Sequence, residues 1–495
     1  MMKYWPIFLS PAIMMGSCSS PDKDKSDKTE KKVKPNILFI MADDLGYNDL
    51  SCYGSMQVKT PHLDSLATDG IKFTRFYSAS AVSTPSRASI LTGCYPLRFD
   101  IRQYFPRDEY LTSKAVMIPE LLKKEGYISA HVGKWHLGGL HLDQVKNRIQ
   151  GRDTIPGPLE HGFDYYFSTI EGGLDVDLLD TRRVYRDGGK YLVANDSLLP
   201  PDNNYLTNIF GNETIRLIEE FNFKKTPFFI NLWFKTPHTP YEPAPEPHLS
   251  KYRELNYPER KNQNFHRGHN QPGDGILYNS MVSHMDEVIG KIVSRLKELD
   301  IYDNTLIIFT SDNGPSYRGY PAPFKGGKAD LHEGGIRVPM IATWPGVIPP
   351  GKVSGELIHG NDMLPTFCNA AGVSPDIYEV DGISLLHHFR TLQPVKKERT
   401  LFWQLDLAID PWGEVWYPQP GTKPEPFATA AVMKGDWKLL TDSLKPVILY
   451  NMTEDSLESV NLIGKYPDVT GNLQSELKSF FEAERIQYRD KIRPK

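Results

Sequence analysis

Apolar residues are grouped along the chain in short unbroken runs. Asn36-Ile37-Leu38-Phe39-Ile40-Met41 is the first, and similar runs fill 126–132, 227–234, 305–310 and 338–344. Runs of this length without polar alternation suit strands covered on both faces, as in a parallel sheet. Between them lie helical patterns. Met281, Met285, Val288, Ile289, Ile292, Leu296 and Leu299 recur at spacings of three and four, which places them on one face of a helix. The alternation predicts an α/β fold with a large, mixed, mostly parallel sheet sandwiched by helices. Beyond about residue 395 the texture changes. Short strand-like pieces at 401–404, 430–433, 437–440 and 447–450 precede a helical pattern over 469–485. They predict a smaller antiparallel sheet capped by a helix, so a domain over 35–395 is followed by a subdomain over 396–495. No internal repeat is evident.

The first residues read differently. Lys3 precedes an apolar stretch over 4–15 that is too short to span a bilayer and has the character of a signal-peptide core. It ends Met15-Gly16-Ser17-Cys18, and small residues directly before a cysteine resemble a bacterial lipobox. Residues 1–17 are then a lipoprotein signal peptide and Cys18 the lipidated first residue. An ordinary secretory leader with an incidental cysteine is the other reading. Residues 18–34, rich in Ser, Asp and Lys, bury too little to fold and predict a flexible tether. The expectation is an exported chain that meets the membrane only through a lipid anchor. It would sit in the periplasm or at the outer-membrane surface of a Gram-negative bacterium.

Composition narrows the class. The 495 residues exceed one typical core, which supports a large unit plus a small one. Lys and Arg total 57 against 61 Asp and Glu, a net charge of −4, which argues against a dedicated nucleic-acid binder. Four cysteines without a CxxC pair argue against a cysteine zinc site or a dense disulfide framework. Cys52 and Cys94 are either bridged or small buried thiols.

Candidate chemistry sits at two strand ends. The first run leads into Asp43-Asp44, and the 305–310 run leads into Asp312-Asn313-Gly314. Ligands of open α/β sheets gather at the carboxyl ends of strands. An all-oxygen donor set selects a hard divalent cation, Ca²⁺ or Mg²⁺. Aspartates in turns and at helix N-caps are the plainer explanation of the same residues.

Residues 83–93 read Ser83-Thr84-Pro85-Ser86-Arg87-Ala88-Ser89-Ile90-Leu91-Thr92-Gly93. This resembles the type I sulfatase signature, [C/S]-x-P-S-R-A-x-x-L-T-G. The opening strand through Asp43, Asp44 and Gly46 is similar to that family's opening. So are Gly133-Lys134-Trp135-His136-Leu137-Gly138, Thr236-Pro237-His238-Thr239-Pro240 and Thr310-Ser311-Asp312-Asn313-Gly314. Lys328, five residues before Glu333-Gly334-Gly335, resembles a K-x4-E-G-G element. All stand in family order and cover nearly the whole mature chain. The resemblance is to formylglycine-dependent sulfatases of the alkaline-phosphatase-like superfamily, and within it to exported Bacteroidetes carbohydrate sulfatases.

That resemblance implies a site. Ser83 would be oxidised to formylglycine by a maturase, of the anaerobic radical type because the residue is serine. Asp43, Asp44, Asp312 and Asn313, with residue 83, would hold one Ca²⁺. Arg87, one helical turn after Ser83, would steady the nucleophile and the metal-site carboxylates. Lys134 and Lys328 would meet sulfate oxygens. One hydroxyl of the hydrated aldehyde attacks sulfur and the sugar alcohol leaves; the second then expels sulfate by carbon–oxygen cleavage. His136 would take the proton in that second step, and His238 would serve the departing sugar oxygen.

The stretches between motifs would set specificity. These are 141–187 with His161, Glu171, Asp175, Asp177 and Arg182; 262–271 with His266, Arg267 and His269; Tyr317-Arg318; and 406–427 with Trp412, Trp416 and Tyr417. Aromatics there could stack on a sugar ring or pack on the sheet. The implied substrate is a sulfated glycan, attacked from its end and built from galactose- or N-acetylgalactosamine-type units. Two rivals remain: a phosphomonoester or phosphodiester hydrolase of the same superfamily, and a non-catalytic lipoprotein that captures sulfated glycans.

Overall fold

Five consecutive apolar residues, Ile37 to Met41, lie fully buried at the centre of the molecule, and they define the sheet on which everything else is placed. The structure is a computed structural model. It describes residues 34–103, 110–152, 154–169, 192–199, 204–255, 273–316, 319–374, 379–395, 398–405 and 428–491. In chain order the strands are β1 (Asn36–Ala42), β2 (Ile71–Phe73), β3 (Phe76–Tyr77), β4 (Ile128–Gly133), β5 (Tyr165–Thr169), β6 (Leu192–Ala194), β7 (Ser197–Leu199) and β8 (Phe228–Trp233). They continue with β9 (Thr305–Ser311), β10 (Met340–Thr343), β11 (Lys352–Ser354), β12 (Ile358–His359), β13 (Thr400–Gln404), β14 (Ala430–Lys434), β15 (Trp437–Asp442) and β16 (Lys445–Asn451).

Ten of these form one sheet in the order β11-β2-β10-β9-β1-β8-β4-β5-β6-β7. The central block β9-β1-β8-β4-β5 is parallel, with Phe39 of β1 opposite Asn231 of β8 and Ile308 of β9. Alternate side chains feed two cores. Ile37, Phe39 and Met41 face one with Phe229, Trp233, Leu306 and Ile308; Leu38 and Ile40 face the other with Ile230, Leu232, Ile307 and Phe309. The helices Ser83–Thr92, Ile118–Lys123 and Met363–Ala371 cover the first face. Pro61–Asp69, Leu206–Phe223 and Asp274–Glu298 cover the second. Each fully buried Leu, Ile or Phe contributes about 1.5–3 kcal/mol, so this double layer dominates stability.

The five apolar runs are β1, β4, β8, β9 and β10. The last of them, β10, pairs antiparallel with both β9 and β2. Strands buried on both faces show the same unbroken run in either direction, so the pattern is silent on orientation. The C-terminal pieces form the antiparallel sheet β13-β14-β15-β16. One face of it packs against the helix Pro467–Lys491 through Leu439, Leu449, Leu473 and Leu477. Cys52, Cys94 and Cys368 are unbridged thiols, which removes the disulfide alternative. Among the described residues no helix is long and apolar enough to cross a membrane.

Candidate active site

Four neighbouring parallel strands, β9, β1, β8 and β4, end on the same edge of the sheet, and each continues into one of the singled-out segments. β1 delivers Asp43 and Asp44, β9 delivers Asp312 and Asn313, β4 delivers Lys134 and His136, and β8 delivers His238. The ends are stitched together past the last strand residues. The Asp43 amide donates to Thr236 O (3.1 Å), that of Asp312 to Ala42 O (3.2 Å) and that of Lys134 to Trp233 O (2.9 Å). Gly133 makes the last contact feasible: its φ is +111°, and a Cβ there would lie 1.9 Å from Trp233 O. Asp44 has φ 62°, a left-handed turn that aspartate tolerates and that folds its side chain back over the strand ends.

Ser83 opens the helix Ser83–Thr92, all ten residues of which are buried. Its hydroxyl lies 3.2 Å from Asp43 Oδ1 and 3.3 Å from Asn313 Oδ1. One turn on, the fully buried Arg87 donates through Nη2 to Asp312 Oδ2 (2.8 Å), approaches Asp43 Oδ1 (3.3 Å), and donates through Nη1 to Lys134 O (3.2 Å). Its guanidinium lies 5.0 Å from the centre of the Trp233 ring. Lys134 Nζ donates to Asp43 Oδ2 (2.6 Å), and Lys328 Nζ donates to Asp44 Oδ2 (2.8 Å). Asn313 Nδ2 donates to Asp44 Oδ1 (2.7 Å), and the Asp44 amide donates to Asp312 Oδ1 (3.1 Å).

His238 is oriented from both sides. Nδ1 donates to Thr239 O (2.5 Å), so Nε2 carries the lone pair that accepts from Lys328 Nζ at 3.2 Å. Burial and the neighbouring Lys328 push this imidazole's pKa below its ordinary value, which keeps it neutral at neutral pH. His136 follows β4 with φ 59°, partly buried, its carbonyl held by Thr84 Oγ1 (3.0 Å).

The carboxylates are not equivalent. Burial would raise Asp43, yet Lys134, His238, Arg87 and Lys328 hold it well below the ordinary range. Asp44 is lowered in the same way, chiefly by Lys328 against burial. Burial and repulsion from Asp43 outweigh Arg87 at Asp312, which is pushed up to about 6. Such a group gains most from another cation. The donor set suits one: Asp43, Asp44, Asp312 and Asn313 supply only oxygen, three of the four are carboxylates, and all are buried. Ligand atoms of Asp43, Asp44 and His238 lie within 4.8 Å of one another, which brings His238 to the rim of the same cradle.

Two residues at the site escape the motif reading. Ser316 Oγ donates to Asp44 Oδ2 (2.7 Å), three positions beyond Asn313, and Trp233 stacks under Arg87. His161 is a correction. It is fully buried, with Nε2 3.2 Å from Leu111 O and its ring 5.9 Å from that of Trp135, and burial lowers its pKa to about 4. It is packed in the core with no exposure to solvent. Asp175, Asp177, Arg182, His266, Arg267, Tyr317, Arg318 and Trp412 lie outside the described residues, as do Glu171, His269, Trp416 and Tyr417.

Fold and site together define a class: an α/β protein in which a buried all-oxygen cluster at the strand ends is paired with fixed positive charges. The chain belongs to the sulfatase family, whose model matches residues 35–373. N-acetylgalactosamine-6-sulfatase of Canis lupus familiaris is 36% identical over 375 residues, covering 71% of this chain. The chain spans 65% of that relative's length. N-acetylgalactosamine-6-O-sulfatase of Bacteroides thetaiotaomicron is 28% identical over 548 residues, covering 96% of this chain and 98% of its own. The crystal structure of Ps i-CgsB in complex with k-i-k-neocarrahexaose aligns with a TM-score of 0.76 at 26% identity, over 93% of this chain and 98% of that one.

Proposed function

We propose that the protein hydrolyses sulfate esters on carbohydrates, removing a 6-O-sulfate from terminal N-acetylgalactosamine- or galactose-type units. The observation that carries this is the seat of Ser83. It lies at the start of a buried helix, against Asp43 and Asn313, with Asp43 bonded to Lys134 and the neighbouring Asp44 bonded to Lys328. The named substrates of the mammalian and Bacteroides relatives support the choice of sugar and position.

Ca²⁺ would be held by Asp43, Asp44, Asp312 and Asn313, with residue 83 beside it. The bound ion would offset sulfate charge, and formylglycine at residue 83 would provide a hydrated aldehyde as nucleophile and release step. The chain's own residues do the rest. Arg87 locks Asp43 and Asp312 in place, so the oxygen beside Ser83 has a fixed environment. Lys134 and Lys328 bind sulfate oxygens as point charges. Lys328 and His238 share a hydrogen bond, so the pair carries a proton that can pass to the departing sugar oxygen. His136 accepts the proton lost as sulfate leaves.

The same reading includes a maturase partner, a signal peptide over 1–17 ending at a lipidated Cys18, a tether over 18–34, and division of the remainder at about residue 395. The test has two parts. Mass spectrometry of the peptide holding residue 83, from protein made with its maturase, should show a loss of about two daltons relative to serine. Sulfate release from a panel of sugars sulfated at defined positions should favour 6-O-sulfated N-acetylgalactosamine or galactose. Turnover of phosphate esters by protein with unaltered Ser83 would overturn the reading.

A further inference from the structure

The loop that carries Lys328 is tied to the C-terminal sheet by a charged network centred on buried Glu333 and Lys438. Glu333, five residues beyond Lys328, accepts from Lys438 Nζ at Oε1 (2.8 Å), and from Tyr77 OH (2.7 Å) and Arg337 Nη1 (3.2 Å) at Oε2. Lys438 Nζ also donates to Glu458 Oε1 (2.7 Å), whose Oε2 accepts from the Glu333 amide (2.7 Å). Glu333 and Lys438 are 0% exposed and Glu458 2%. Burial would strip Lys438 of its proton, yet Glu333 and Glu458 raise its pKa above the ordinary value, so it stays charged. Lys438 lies on β15 and Glu458 after β16, both beyond the residues matched by the family model.

The network has a mechanical route to the site. The Gly334 amide donates to Lys325 O (2.7 Å), closing the loop around Lys328. The Lys328 amide donates to Pro315 O (2.9 Å), and that of Ala329 to Ala81 O (2.8 Å), two residues before Ser83. Gly335 packs so closely that an added Cβ would lie 1.8 Å from Asp330 O. Tyr77 belongs to the strand leading toward Ser83, and Trp403 Nε1 of β13 donates to Ser78 O (2.8 Å) on the same segment. Ala81, Val82, Ala329 and Leu331 share one apolar cluster with Leu401, Trp403, Leu440 and Tyr450 of the small sheet.

We propose that Lys438, clamped between Glu333 and Glu458, is a positioning residue that makes the C-terminal sheet the template holding the Lys328 loop against Asp44. This rests on the reading of Lys328 as an anion contact. Without the clamp two buried carboxylates face each other, the Glu333 turn shifts, and Lys328 loses its fixed reach to the anion. The effect of Lys438 on anion affinity then runs chiefly through Lys328.

The test is a double-mutant cycle on the full chain, read as inorganic sulfate affinity by titration calorimetry in Ca²⁺ buffer. Lys438→Met should weaken sulfate binding about tenfold in the native background and less than twofold in Lys328→Ala. Lys438→Arg, which keeps the charge, should restore affinity to within about threefold. Tyr77→Phe removes one hydroxyl without volume and decides the matter if Lys438→Met does not fold; it should show a smaller loss that again vanishes in Lys328→Ala. Equal losses in both backgrounds, or no loss in either folded variant, overturn the positioning role. If Lys328→Ala itself binds sulfate normally, the anion-contact reading fails and this inference falls with it.

Discussion

Arg87→Met tests whether the acidic cradle needs its built-in cation. Methionine matches the length of the aliphatic stem but removes the charge and the donors. Lost are the 2.8 Å bond to Asp312, the 3.3 Å approach to Asp43 and the 3.2 Å bond to Lys134 O. Lys134 stays on Asp43 and Lys328 on Asp44, so Asp312 is the carboxylate whose fixed countercharge disappears. Removing one partner from a fully buried pair costs about 3–5 kcal/mol. The folded unit spans roughly 460 residues. At about 2.1 cal/mol/K per residue, its unfolding entropy is about 1 kcal/mol/K, so the midpoint should fall by about 3–5 °C. Scanning calorimetry in chelator should show this deficit, and millimolar Ca²⁺ should shrink it, because a bound ion supplies the missing charge. The sulfate-ester hydrolysis proposed above should fall about 100-fold or more, since the carboxylate beside Ser83 loses its brace. A midpoint within 1 °C of the unaltered protein in chelator, or a deficit that Ca²⁺ leaves unchanged, would refute the reasoning.

Asp312 titrates near 6 in the metal-free fold against an ordinary 3.8, so the folded chain holds the extra proton between those values. Its stabilising contribution is complete below pH 3.8 and lost as pH rises through 6, whereas Ca²⁺ affinity should weaken about tenfold per unit below pH 6, with a proton released on binding. Calcium titrations at pH 5 and 7 giving equal affinities would count against it. Gly133→Ala should cost more than about 3 kcal/mol or yield insoluble protein, because its Cβ would overlap Trp233 O at φ +111°; chemical denaturation measures it, and a loss under 1 kcal/mol would show that the β4 and β8 ends can part. With Ca²⁺ bound, three carboxylates and three fixed cations leave two positive charges in excess, so sulfate should inhibit at least tenfold more strongly than nitrate, and salt should weaken both. Equal inhibition constants would show the charge count to be wrong.

Much of this site is legible in sequence because four of its segments follow an apolar strand, while Ser83 and Lys328 are marked by motif alone. A strand end is where the hydrophobic run stops, so Asp43, Lys134, His238 and Asp312 are marked by their position as well as by motif. Topology supplies what sequence alone lacks: the order β9-β1-β8-β4 makes four separate segments neighbours. The direction of β10 leaves no trace, since both of its faces are covered. His161 looks like any histidine between motifs, although the flanking Leu159 and Phe163 suit the buried position it takes. Ser316 sits just outside the recognised segment. Glu333 stands inside one, but its partner Lys438 is 105 residues away, beyond any local periodicity.

The small net charge of −4 acquires a structural meaning from the site. Asp43, Asp44 and Asp312 meet Arg87, Lys134 and Lys328 in near one-to-one pairs, so the pocket is balanced before any ligand enters and leaves no imprint on the total. Fixed cations alone would bind sulfate but would also draw the nucleophile's oxygens into salt bridges. Carboxylates alone would hold a cation but repel the ester. Interleaving them on neighbouring strand ends would let the carboxylates of the proposed site hold an ion while each lysine, bonded to a carboxylate that the ion would share, turns toward the ester. On the proposed function, Lys134 on Asp43 and Lys328 on Asp44 would be resting contacts that a shared ion weakens, and the loop that holds Lys328 would limit how far it moves.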